Sequence, residues 1–190
     1  DHPWLENVHW NNRVNIDQVK GKTPDERIEA AQEKLGGAGG VIYLPAGTYR
    51  FASDIALRSG IVLCGEAPGA VADARKKGYA PPARLLFPRY KPLLKGEGSP
   101  RESAFFGIHA ADAASGDAIG LVNLSIDHCH VYFGAGKDHA AGRNRLVVGC
   151  RITNAAVLDP QVPDRALGQH RWQRFTNRFR GAITIYTDAN

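Results

Sequence analysis

Two hydrophobic rhythms divide the chain. Ile28, Ala31 and Leu35 recur at helical spacing, and Thr23-Pro24-Asp25-Glu26 stands just before them. Thr23 suits an N-cap, Pro24 the first helical position and Glu26 the closing member of a capping box, while Gly36-Gly37 supplies the stop. This predicts one amphipathic helix of about three turns, whose thin apolar stripe needs a surface to cover. Beyond it the period falls to two. Gly40 to Leu44, Thr48 to Phe51, Ile55 to Leu57 and Ile61 to Cys64 read as short strands broken by Pro45-Ala46-Gly47 and Arg58-Ser59-Gly60. Further strands are expected at 84–87, 105–110, 131–134 and 181–187, with loops at 66–83, 88–104 and 155–180. Strands this short and dense, without long helices between them, predict a coiled array of strands rather than a doubly wound sheet.

An internal repeat supports the array. Leu121 to His128 aligns without gaps onto Val147 to Asn154, an offset of 26 residues. Strict alternation places Val122, Leu124 and Ile126 inward, stacked on Val148, Cys150 and Ile152. Cys150 is then a core residue and a poor nucleophile. Asn154, at a turn after the second copy, is expected to hydrogen-bond turn backbone.

The run GGVIYLPAGTYRF followed by DIALRSGIVLCGE resembles the opening of the pectate-lyase-like parallel β-helix superfamily, over residues 23 to 66. The resemblance implies an all-β fold, a right-handed parallel β-helix (solenoid), with an N-terminal capping α-helix that plugs its first turn. Residues 1–22 are then an N-terminal extension. Residues 23–190 form the N-terminal portion of a β-helix domain expected to continue beyond residue 190, since the last apolar strand has no capping segment after it.

Composition narrows the setting. The 190 residues are 43% hydrophobic and 23% charged, as in globular proteins, and no stretch is long and apolar enough to span a membrane. The absence of Met is read as the mark of a processed chain or a fragment, and either suits a secreted or cell-surface protein. Cys64, Cys129 and Cys150 are an odd number without CxxC spacing, which predicts free thiols instead of a disulfide framework or zinc site. The net charge of +5 is uneven: between positions 157 and 180, Arg165, Arg171, Arg174, Arg178 and Arg180 face only Asp159 and Asp164. Such a surplus favours an anionic partner. No nucleic-acid-binding module accompanies it.

The resemblance further implies that carbohydrate lies along the outer face of one parallel sheet. If Phe106, Ile108, Val131, Phe133, Ile183 and Ile185 point inward, then His109, Tyr132 and Tyr186 point outward and offer rings on which sugars stack. The segment Gln169 to Phe175 interleaves His170, Arg171, Trp172 and Arg174, a composition that suits a polyuronide: Arg pairs with a carboxylate at two points and Trp stacks on the ring. Asp127, Asp138 and Asp188 are the acids near the repeated strands, and Asp188 is the best placed of them. The candidate catalytic residues are therefore Asp188, His109, His170 and Arg171, and the candidate substrate-binding residues Tyr132, Tyr186, Trp172 and Arg174. Asp127-His128-Cys129-His130 is not read as a metal site, because alternation scatters its side chains. The missing acidic cluster also argues against calcium, so no cofactor is expected. The reading is an extracellular polysaccharide lyase or glycoside hydrolase acting on an acidic polysaccharide. The rival is a non-catalytic β-helix: an adhesin, a tailspike-like binding module or a fibre subunit. Oligomeric state is left open.

Overall fold

The structure, a computed structural model, describes residues 6–88, 107–111, 118–133, 144–153 and 183–185. It is mostly β, with one long helix, α1 (Pro24–Leu35), and a short one, α2 (Val71–Ala74). The strands are β1 (Arg13–Asn15), β2 (Gly40–Leu44), β3 (Gly47–Arg50), β4 (Ile55–Leu57), β5 (Ile61–Gly65), β6 (Ala83–Leu86) and β7 (Gly107–Ala110). They continue with β8 (Gly120–Val122), β9 (Ser125–Asp127), β10 (His130–Phe133), β11 (Leu146–Val148), β12 (Arg151–Thr153) and β13 (Ile183–Ile185).

Among the described residues all pairings are parallel and fall into three sheets. The first has the order β1-β2-β5-β8-β11, the second β3-β6-β9-β12 and the third β4-β7-β10-β13. From β2 onward, successive strands visit the first, second and third sheet in fixed rotation, so each group of three forms one layer. The gapless repeat is the pairing register itself: Val148 lies opposite Val122 and Ile152 opposite Ile126. The amide of Arg151 donates to the carbonyl of Leu124 at 2.9 Å, and Cys150 packs against the same apolar cluster as Leu124. These two residues do occupy adjacent layers.

Inward side chains form ladders across the layers, as nearest-neighbour stacking requires. Val14, Ile42, Leu63, Leu121 and Val147 align in the first sheet, Tyr49, Leu85, Ile126 and Ile152 in the second, and Ile55, Ile108 and Val131 in the third. Residues from all three sheets join one apolar cluster, in which the rings of Phe51 and Phe87 stack with centroids 5.2 Å apart.

The inward set differs from strict alternation at one place. Leu121 is fully buried, whereas Val122 is half-buried on the outer side and Val148 is 44% exposed. The cause is the corner residue. Asn123 (φ 52°) and Gly149 (φ 63°) adopt the left-handed conformation, which adds one residue to the alternation, so the inward sequence is Leu121, Leu124, Ile126 and not Val122, Leu124, Ile126. His128 (φ 61°) does the same at the next corner, after which Cys129, Val131 and Phe133 are buried.

The helix closes one end of the stack. Thr23 Oγ1 accepts from the Glu26 amide at 3.2 Å, as an N-cap should, while the Glu26 carboxylate accepts from Lys22, one residue earlier than a capping box requires. Ile28, Ala31 and Leu35 are buried in the cluster. Gln32, also buried, receives the Arg58 amide on Oε1 at 2.8 Å and donates from Nε2 to the Ala56 carbonyl at 3.0 Å. Its side-chain amide thus satisfies the open edge of β4 as a further strand would. The Asp25 carboxylate accepts from the amides of Ala52 and Ser53. β1, within residues 1–22, pairs with β2 and lengthens the first sheet.

Candidate functional site

The outer face of the second sheet carries the most developed polar surface among the described residues. Its register lines up Thr48, Arg84, Ser125 and Arg151 in one row, and Arg50, Leu86, Asp127 and Thr153 in the row two residues along. Because side chains alternate across a strand, both rows face away from the core while Leu85, Ile126 and Ile152 between them face in. A wall formed by Ala80, Pro81 and Pro82 bounds these rows, enclosing a groove of about 580 Å³. Ser125 Oγ donates to the Pro81 carbonyl at 2.7 Å and ties the wall to the sheet. Proline suits this wall, since it fixes φ and has no N–H donor to satisfy.

At the floor lies Asp127, 6% exposed. A carboxylate this deep needs partners, and it has them: Arg84 Nη2 donates to Oδ2, and Thr153 Oγ1 donates to Oδ1 at 3.1 Å. Arg84 reaches down from the neighbouring strand, leaving its side chain 47% exposed to the groove. Arg151, exposed at the other end of the row, has no carboxylate partner among the described residues. The groove therefore holds one guanidinium already engaged and one open. Asp127 is the sole acid among its described lining residues, whereas a glycosidase pair needs a second carboxylate within about 5 to 9.5 Å.

His128 stands behind Asp127, with Nε2 3.9 Å from Oδ1 and Nδ1 3.0 Å from the Phe87 carbonyl.

The face expected from sequence to bind sugar is the outer face of the third sheet. There the register brings His109 opposite Tyr132, but the next residue in the row is Thr184, not Tyr186. Ile108, Val131 and Phe133 are buried, in the expected sense. His109 is half-buried, and its Nδ1 lies 2.9 Å from the carbonyl of Ala110, with no second titratable group bonded to it among the described residues. Asp188, His170, Arg171, Tyr186, Trp172 and Arg174 lie outside the described residues, as do Phe106, Asp138 and Asn154. Arg84, Arg151 and Thr153 were not singled out from sequence. The 26-residue offset could have pointed to two of them, placing Arg151 over Ser125 and Thr153 over Asp127, but it does not reach Arg84.

The cysteines carry no activated thiol. All three are free, and burial pushes each thiol upward, Cys150 to about 11 and Cys129 well above its ordinary range. No group of three or more His, Cys, Asp or Glu side chains is arranged to hold a metal among the described residues, and no helix there is long and apolar enough to cross a membrane.

A family model described as Rhamnogalacturonase A/epimerase, pectate lyase-like, matches residues 24–80. The match runs from α1 through the first layer and β5 to the wall of the groove, so the resemblance to pectate-lyase-like proteins stands over that part of the chain. No curated protein and no solved structure matches the chain.

Proposed function

We propose that the three sheets are the faces of a right-handed parallel β-helix lying outside the cell, and that it holds an acidic polysaccharide in the groove of its second sheet. Two observations support the winding: the fixed rotation of strands through the sheets, and the right-handedness of nearly all parallel crossover connections. The binding reading is carried by the row in which Arg84 and Arg151 flank Ser125. Two strand spacings put the backbone positions of these arginines about 9.5 Å apart along the stack, and a polyuronide offers a carboxylate on every sugar. Arg is the side chain best suited to meet it in two-point geometry.

Elimination fits this groove better than hydrolysis. A lyase needs cations to neutralise the uronate carboxylate and a base to take the neighbouring proton, whereas a hydrolase needs two carboxylates and the described lining has one, already held by Arg84. The base is proposed among His170, Arg171 and Asp188, with stacking and further charge from Tyr186, Trp172 and Arg174, whereas His109 and Tyr132 belong to the third sheet and not to this groove. The engagement of Asp127 also favours a second reading, a binding module without turnover.

Affinity for polygalacturonate, compared with a neutral glucan, tests the proposal. Arg151→Ala is expected to weaken polygalacturonate binding about tenfold or more, as loss of a charge-assisted contact does, and to leave the fold intact. Equal binding of both polymers, or unchanged affinity in the variant, overturns it. Ultraviolet absorbance from unsaturated products then separates a lyase from a binding module.

A further inference from the structure

Arg75, Lys76 and Lys77 are three consecutive cations that lead toward the wall of the groove, and all three side chains are exposed. One of them serves the local fold: Lys76 Nζ lies 2.6 Å from Asp73 Oδ1. Arg75 and Lys77 have no carboxylate partner among the described residues. The turn that follows fixes their place. Gly78 takes the left-handed conformation (φ 86°), the Tyr79 amide donates to the Lys76 carbonyl at 3.1 Å, and the Tyr79 hydroxyl is buried. Ala80, Pro81 and Pro82 come next and form the wall. Two bonds tie that wall to the second sheet: Ser125 Oγ donates to the Pro81 carbonyl at 2.7 Å and the Gly47 amide to the Pro82 carbonyl at 3.1 Å. Three residues of chain span at most about 11 Å, so Lys77 stands within that distance of Ala80.

We propose that Arg75 and Lys77 form a rim subsite for acidic glycan, meeting the part of the chain that overhangs the proline wall. The row from Thr48 to Arg151 crosses three strand spacings, a length of about 14 Å that about three sugars fill. A longer polyuronide leaves the groove with further carboxylates in water, and the rim offers two uncommitted cations to meet them. Exposed charges are screened beyond about 8 Å at physiological salt, so the rim acts on a chain that passes over it and adds little for a ligand confined to the groove. The partner is therefore a polymer, bound more tightly than its own short fragments. The inference rests on the groove's being the site for acidic glycan, and deepens that reading by extending the site beyond the sheet and naming the chain length it prefers.

The test compares a labelled galacturonate trimer with a labelled chain of about twelve galacturonates, at constant pH and at low and high salt. The wild type is expected to bind the longer chain more tightly and to lose that advantage as salt rises; equal salt dependence for the two lengths overturns the proposal without recourse to any variant. Arg75→Ala/Lys77→Ala is expected to weaken binding of the longer chain about fivefold and to change trimer binding less than about twofold. Lys20→Ala/Lys34→Ala removes the same charge from exposed positions on α1 and just ahead of it, and is expected to change binding of either length less than about twofold. Circular dichroism confirms that each variant is folded. Equal weakening of the longer chain by both pairs would make net charge the cause and sink the rim. A rim variant that spares the longer chain, or weakens both lengths alike, sinks it too. If Arg151→Ala weakens both lengths while the rim variant weakens neither, the groove stands and the rim falls. If the wild type binds neither length, the groove reading fails and this inference fails with it.

Discussion

Gly65 ends β5 where the backbone of the next layer passes close by. A Cβ built there would lie 2.1 Å from the carbonyl oxygen of Asn123 and 3.0 Å from the Ala83 side chain. The obstacle is backbone of the adjacent layer, which cannot swing aside as a long side chain can, so the layers themselves must part. Gly65→Ala is expected to cost about 1 to 3 kcal/mol in urea unfolding. Gly37→Ala, where nothing lies within 4 Å, is expected to be neutral or slightly stabilising. Equal effects of the two changes would show that contact between layers is not what demands glycine at 65. The same corner explains why sequence alternation misplaces Val122 and Val148. A period-2 pattern assumes that every residue is extended, and nothing local to Leu121-Val122-Asn123-Leu124 marks Asn123 as left-handed. The short side chain of asparagine permits that conformation without requiring it.

The helix was legible because its signals are local. Cap, first-turn proline and apolar spacing all lie within the helix or next to it, and α1 starts at Pro24 and ends at Leu35 as they indicate. Gln32 was not legible. It is a polar residue beside the apolar stripe of Ile28, Ala31 and Leu35, and its purpose appears only when β4 is seen to be the last strand of its sheet on that side. Strand edges invite other strands, and Gln32 occupies the carbonyl of Ala56 and the amide of Arg58 that an incoming strand would use. Gln32→Ala leaves both without a protein partner. The expected result is a loss of about 1 to 3 kcal/mol together with concentration-dependent association, followed by thermal melting and sedimentation. A variant that is less stable yet strictly monomeric would reduce Gln32 to an ordinary buried hydrogen-bonding residue.

At the scale of the whole molecule the pairing of the last two layers could be read from one 26-residue offset, but the groove could not. Its members sit on four strands that are far apart in sequence and adjacent only because strands of one sheet pair across the layers, so no window of sequence contains the site. Asp127 was visible merely as an acid near a repeated strand; its depth and its hold on Arg84 are products of stacking. Stacking also buries His130, at the start of β10, to 3% exposure, and loss of hydration pushes its imidazole down from 6.5 to about 4. Above about pH 6.5 the ring is neutral in both folded and unfolded chains, and the protein carries no penalty from it. Between 6.5 and 4 the unfolded chain takes up a proton that the folded one refuses, so stability falls as the pH is lowered through this window, by up to about 3 kcal/mol at its lower end. His130→Gln removes the titration. Its melting temperature is expected to decline less than that of the wild type between about pH 7 and about pH 4.5, and a parallel decline would mean that acid sensitivity arises elsewhere.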